Sequence, residues 1–288
     1  MNGFTLAASA VALALIGASA ASAQVVYSSA GPTAADISPT VDAFRSGLGP
    51  LNPNVEGSFG SGRREINWDG VPDALSAPNL LPANFFNVNS PRGVVLSTPG
   101  NGFQVSAAGD PAFAQFGTIN ASYPQLFTTF SPQRIFTAVD SNIVDINFFI
   151  PGTGTPAFVT GFGSVFTDVD LANSTTLGLF GAGNVLLGTY AVPNFAGNDT
   201  LSFLGVTFSD PLIARVRITS GNAALGPGIF ETGGTDLVAM DDFIFGEPTL
   251  RGAVPELSTW AMMLFGFGLV GGALRSARRR STAGLSYA

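Results

Sequence analysis

Three short strings in this chain carry side chains able to do chemistry. Residues 62–70 read Gly-Arg-Arg-Glu-Ile-Asn-Trp-Asp-Gly. Glu65, Asn67 and Asp69 alternate, so an extended strand would set their oxygens on one face. Such oxygens suit Ca2+, which gathers about six to eight hard ligands. Arg64 and Trp68, between them, are the polar and stacking side chains that meet a sugar ring. The same string could instead be an internal ion pair in which Arg63 or Arg64 satisfies Glu65.

The second string is Asp168-Val169-Asp170-Leu171-Ala172-Asn173. Asp168 and Asp170 share one side at a strand end, with Asn173 in the following turn, and this is a second candidate oxygen cluster. It lacks the central Gly and distal Glu of an EF-hand loop. The third is Met240-Asp241-Asp242-Phe243. An Asp pair within an apolar strand is costly to bury without a cation or an Arg, so Asp241 and Asp242 are candidate metal ligands. Arg215 and Arg217 are the alternative partners. Paired carboxylates also admit a glycan hydrolase, which needs two such groups about 5–10 Å apart in a cleft.

The elements that must position these residues are strands. Val144, Ile146, Phe148 and Ile150 alternate up to Pro151-Gly152, and Phe158, Phe162 and Phe166 fall on even positions of the next run. Residues 175–180 and 185–192 flank Gly-Ala-Gly-Asn as a hairpin. Residues 201–208 and 213–219 read as another pair, and residues 237–245 as the last strand. Residues 60–99, rich in Asn, Pro and Gly, read as strands separated by long loops of the same body. With no sustained 3.6-residue pattern, the expectation is an all-β fold: a two-sheet, jelly-roll-like sandwich over residues 24–250.

Composition narrows the function. The chain has no His and no Cys, and all 12 of its basic residues are Arg. That removes disulfides, thiolate and imidazole metal sites, the commonest general base, Schiff-base chemistry and the P-loop lysine. Between residues 24 and 255 there are 8 Arg against 18 acidic residues, a charge of about −10. An acidic body without a basic patch argues against nucleic acid as a partner and is compatible with Ca2+ and neutral sugars.

The two ends are addresses. Residues 6–23 are apolar and close on Ala21-Ser22-Ala23, the small residues that signal peptidase requires at −3 and −1. Only the α-amine supplies positive charge before them. At the other end, Val254-Pro255-Glu256-Leu257-Ser258-Thr259-Trp260 precedes an apolar, Gly-rich run over residues 261–274. Arg275, Arg278, Arg279 and Arg280 follow. The run is marginal for a span of about 20 residues, and the Arg cluster orients it with the body outside and the tail in the cytoplasm.

This tail resembles the PEP-CTERM sorting signal of Gram-negative, exopolysaccharide-producing bacteria over residues 254–280. The match is closest at Ser258-Thr259-Trp260-Ala261 and Gly266-Phe267-Gly268; Leu257 stands where the family has a second Pro. The resemblance implies recognition by exosortase, a membrane-embedded cysteine enzyme, and release or transfer of the body to the cell surface. The body resembles jelly-roll, lectin-like and carbohydrate-binding modules in the Asp-containing last strand. The resulting expectation is a signal peptide (1–23), a sandwich body (24–250) and a sorting tail with a transmembrane helix (254–280). Its function would be to bind or organise extracellular polysaccharide without catalysis, with Ca2+ as a stabilising cofactor. An inert adhesive matrix component and a carboxylate-dependent hydrolase are the alternatives.

Overall fold

The computed structural model describes residues 23–109, 114–250, 264–269, 271 and 275. Residues 23–250 of these lie within one compact unit. The described residues form twelve strands: β1 (Gln24–Gly31), β2 (Arg63–Ile66), β3 (Val94–Ser97), β4 (Gly102–Val105), β5 (Phe136–Val139), β6 (Ile143–Phe148), β7 (Gly161–Thr167), β8 (Thr176–Phe180), β9 (Leu186–Ala191), β10 (Leu201–Phe208), β11 (Arg215–Thr219) and β12 (Ala239–Gly246). One sheet runs β1-β10-β7-β12-β5-β4, with β2 also paired to β12. The other runs β3-β6-β11-β8-β9.

The main core lies between the sheets. Phe162 and Phe166 of β7, Phe136 of β5 and Phe243 and Phe245 of β12 meet Val144, Ile146 and Phe148 of β6, Leu177 and Leu179 of β8, and Val216 and Ile218 of β11. The fold is therefore a two-sheet, all-β sandwich, as the alternation of short apolar runs implies. Strands β8 and β9 pair as the expected hairpin.

The expected pairing of residues 201–208 with 213–219 does not occur. β10 lies between β1 and β7, whereas β11 lies between β6 and β8 in the other sheet. The intervening residues cross the sandwich instead of turning back. Both strands lie inside their sheets with a neighbour on each side, so sequence adjacency cannot tell a hairpin from a crossing.

One long helix, α1 (Ala34–Leu48), covers the outer face of the first sheet. Thr33 and Asp36 form its capping box. Ile37, Val41, Phe44 and Leu48 recur at helical spacing and pack on Val165, Leu201, Phe203 and Ile244. Gly163 and Gly205 stand opposite each other in β7 and β10. A Cβ at either would lie 2.7–2.8 Å from the Phe44 ring, so these two glycines make room for the helix.

At the C-terminus, residues 264–269 are helical and exposed, and so is Arg275. Among the described residues no helix is long and apolar enough to cross a membrane. The expected cleavage residue Ala21, the sorting motif Val254, Pro255, Glu256, Ser258 and Trp260, and Arg278, Arg279 and Arg280 lie outside the described residues. Ala23 is described and exposed, and its carbonyl accepts from the Ser209 N–H at 3.0 Å.

Candidate metal centre

Strand β7 ends at Thr167, and the next residue, Asp168, takes a left-handed φ of +69°. Its N–H donates to the Thr200 carbonyl at 3.0 Å. The chain therefore kinks at Asp168, and it is this kink, not strand alternation, that turns Asp168 and Asp170 toward a common point. Glu231, from the loop joining β11 to β12, completes the group: one carboxylate oxygen from each of the three lies within 4.8 Å of the others.

The surrounding loops hold these groups in place. Asp170 Oδ1 accepts from Gly197 N–H at 2.7 Å, and its carbonyl accepts from the Asn194 amide at 3.1 Å. Asp236 accepts from the N–H groups of Asp170 (3.1 Å) and Leu171 (3.3 Å) and from the Ser174 hydroxyl. Glu231 Oε1 accepts from Leu237 N–H at 3.2 Å. Upstream of Glu231, the Tyr123 hydroxyl lies 3.0 and 3.1 Å from the carbonyls of Gly226 and Ile229.

Asp168 differs from every other carboxylate in this group. Its side chain is fully buried, and no donor reaches either oxygen. The group facing it is another carboxylate, Glu231. Burial, and then the charge of Glu231, push the Asp168 carboxyl up to about 10. Burial also raises Glu231, to which Leu237 N–H gives partial relief. An unpartnered buried carboxylate costs several kcal/mol on the order of magnitude of burying any lone charge. Two arrangements remove that cost: a proton shared between Asp168 and Glu231, or a cation. Among the described residues no Arg forms an ion pair with Asp168, Asp170, Glu231 or Asp236.

The other expected site residues have protein partners. Glu65 accepts from Arg45 (2.9 Å) and Arg63 (2.7 Å). Strand β2 ends at Ile66, and Trp68 takes a φ of +66°, so Glu65, Asn67 and Asp69 do not continue one strand face. The Asn67 amide donates to Asp69 Oδ2 at 3.1 Å, while Asp69 Oδ1 accepts from the backbone N–H groups of Gln133 and Arg134. Trp68 is buried, stacks on Phe136 at 4.0 Å and donates its indole N–H to the Asp241 carbonyl at 2.8 Å. It offers no face to a sugar. Arg64 is fully buried and doubly bonded to Glu247 at 2.8 and 2.9 Å, so it too is a core residue and not a ligand contact.

Asp241 and Asp242 sit on a bulge in β12 and are buried. Asp241 accepts from Phe130 N–H at 2.6 Å and, with Asp242, from the Ser131 hydroxyl. Asp242 pairs with Arg45 of α1 at 3.2 Å. Arg215 and Arg217 are not its partners, as the sequence suggested they could be. They converge on Asp145 of β6 in the opposite sheet, Arg217 at 2.7 Å. Burial, then the neighbouring Asp242 charge, hold Asp241 well above the usual carboxylate range.

Glu231 was not among the expected ligands. Its only sequence signal is a lone acid in a Gly-rich loop, between Gly228 and Gly233. No family model matches this chain, and neither a curated protein nor a solved structure is similar to it.

Proposed function

We propose that this chain is an exported surface or matrix protein whose sandwich body binds Ca2+ at Asp168, Asp170 and Glu231 and binds or organises extracellular polysaccharide without catalysis. The observation that carries the cation is the fully buried Asp168 carboxylate, which has no donor and faces a second carboxylate. Hard oxygen ligands and the absence of any nitrogen or sulfur donor favour Ca2+ over softer metals. Export rests on the terminal segments: signal peptidase cleavage after Ala23 would leave β1, which begins at Gln24, intact. Exosortase would act on the 254–280 tail after a transient stay in the inner membrane. The sandwich is then a jelly-roll-like module at the cell surface. The Asp241–Asp242 pair is buried and engaged with Phe130, Ser131 and Arg45.

Thermal unfolding of the full chain in millimolar Ca2+ and in EDTA tests this reading. A ligand that binds only the native state at a hundredfold excess over Kd adds about 2.7 kcal/mol. For a body of this size that is a rise in midpoint of roughly 5–10 °C. Equal midpoints in the two buffers would mean a shared proton, and the cation reading would fall.

A further inference from the structure

The cation centre is incomplete on its own side chains, and what it lacks indicates what it binds. Of the eight carboxylate oxygens on Asp168, Asp170, Glu231 and Asp236, hydrogen bonds engage Asp170 Oδ1, Glu231 Oε1 and both oxygens of Asp236. Both oxygens of Asp168, Asp170 Oδ2 and Glu231 Oε2 are left to face a cation. Ca2+ takes about six to eight oxygens, so at least two positions fall to oxygens these carboxylates do not provide. Asp168 is buried, whereas Asp170 and Glu231 are only partly so, which puts the open positions toward solvent.

Two exposed aromatic residues lie on the segments that hold this group. Phe195 is 41% exposed, and its N–H donates to the carbonyl of Val169, between the two aspartates, at 2.9 Å. Phe230, adjacent to Glu231, is 52% exposed. Neither belongs to a core cluster. The backbone carrying Phe230 is held from behind: the Ile229 carbonyl accepts from the Asn120 amide at 3.1 Å and lies 3.1 Å from the Tyr123 hydroxyl. The loop thus carries an exposed ring on an anchored backbone, one residue before Glu231.

We infer that the ligand is a neutral glycan that places two vicinal hydroxyls on the bound Ca2+ and stacks a ring face on Phe230 or Phe195. Two adjacent hydroxyl oxygens match the missing coordination in number and hardness. A C–H-bearing sugar face suits an exposed aromatic. A free carboxylate ligand would add charge to a site already rich in it, which favours the neutral class. This inference rests on the cation reading above and names the substrate class of the same site.

The test passes the full chain over immobilised mannan, galactan and dextran in Ca2+ and in EDTA, with unfolding midpoints recorded in the same buffers. Retention on at least one polysaccharide is expected in Ca2+ only. It should disappear when that polysaccharide is oxidised with periodate and reduced, which destroys vicinal diols. Phe230→Ala should weaken retention on the order of tenfold, the scale of losing an exposed anchor, while leaving the Ca2+-dependent midpoint unchanged. Glu231→Gln should abolish both. A Ca2+-dependent midpoint without retention on any of the three overturns the glycan inference and spares the cation site. Retention unaffected by EDTA or by periodate overturns it as well. If no midpoint shift appears, the cation site itself falls and the inference falls with it.

Discussion

Two buried aspartates at opposite places in this sandwich meet opposite surroundings. Asp145, on β6, faces Arg215 and Arg217 across the strand pair β6–β11, and both guanidinium groups bond it. Burial alone would raise its carboxyl, but the two Arg outweigh burial and hold it below the usual carboxylate range. Asp168, just past the end of β7, has no Arg and no hydrogen-bond donor among the described residues, and its carboxyl is pushed up to about 10. The same residue type is closed off in one case and left open in the other. Arg is the only basic side chain the protein has, and the Arg residues that form ion pairs go to Asp42, Glu65, Asp73, Asp145, Asp242 and Glu247. A carboxylate completed by Arg, or by backbone and hydroxyl donors as Asp241 is, is finished by the fold; one left with neither is where an outside cation can bind.

That contrast can be tested by substitution. The largest effect belongs to the most completely closed pair, Arg64 and Glu247, both fully buried. Arg64→Ala should cost about 3–5 kcal/mol, because it strands the Glu247 charge in the core. The loss should be the same in Ca2+ and in EDTA, and the double variant Arg64→Met with Glu247→Leu should cost less than half as much. A loss that Ca2+ restores would show that closed and open carboxylates are not separate systems. The next effect is the removal of Ca2+ by chelation, already given as roughly 5–10 °C in midpoint. Smaller and opposite in kind is Asp168→Asn. It should erase the Ca2+ response yet stay within about 1 kcal/mol of the unaltered chain in EDTA, or exceed it, since it removes a carboxylate facing a carboxylate. Unfolding curves of both chains in EDTA decide this. A large destabilisation there would place Asp168 among the closed carboxylates.

The layers of the fold could be read from the sequence wherever apolar residues alternate, as in β6, the β8–β9 hairpin and β12. The helix α1 is not legible although Ile37, Val41, Phe44 and Leu48 carry the 3.6-residue period, because Pro39 and the surrounding Gly, Ser and Thr mask it. Without α1 the sequence does not place Arg45, and chain order points Asp242 to Arg215 and Arg217 on β11, which lies in the other sheet. At the metal centre, Asp168 and Asp170 were legible as adjacent acids at a strand end. Glu231 was not, because it arrives from a loop more than 60 residues away, and no local pattern records a contact made by sheet topology. Trp68 misled for a related reason: residue type suggested a sugar platform, but its left-handed backbone turns the ring into the core against Phe136.

The finest test of the contrast is the pH dependence of the closed carboxylate against that of a buried one with raised affinity for protons. Asp145 has a folded pKa below its unfolded value near 3.9. Its contribution is complete above the unfolded pKa and lost as pH falls through the folded one. Asp241 is raised well above the ordinary value by burial and by Asp242. Its contribution is present below the unfolded pKa and lost as pH rises through the folded one. In EDTA, Asp145→Asn should therefore flatten the acid limb of a stability–pH profile, and Asp241→Asn the fall in stability as pH rises above the unfolded carboxylate value. The acid-limb change should be less than about 1 kcal/mol, since Arg217 is partly exposed and solvent screens the pair. Urea unfolding at steps from pH 3 to pH 9 measures both. If Asp145→Asn changed only the alkaline limb, the two Arg would not be neutralising Asp145, and the division between closed and open carboxylates would lose its clearest closed member.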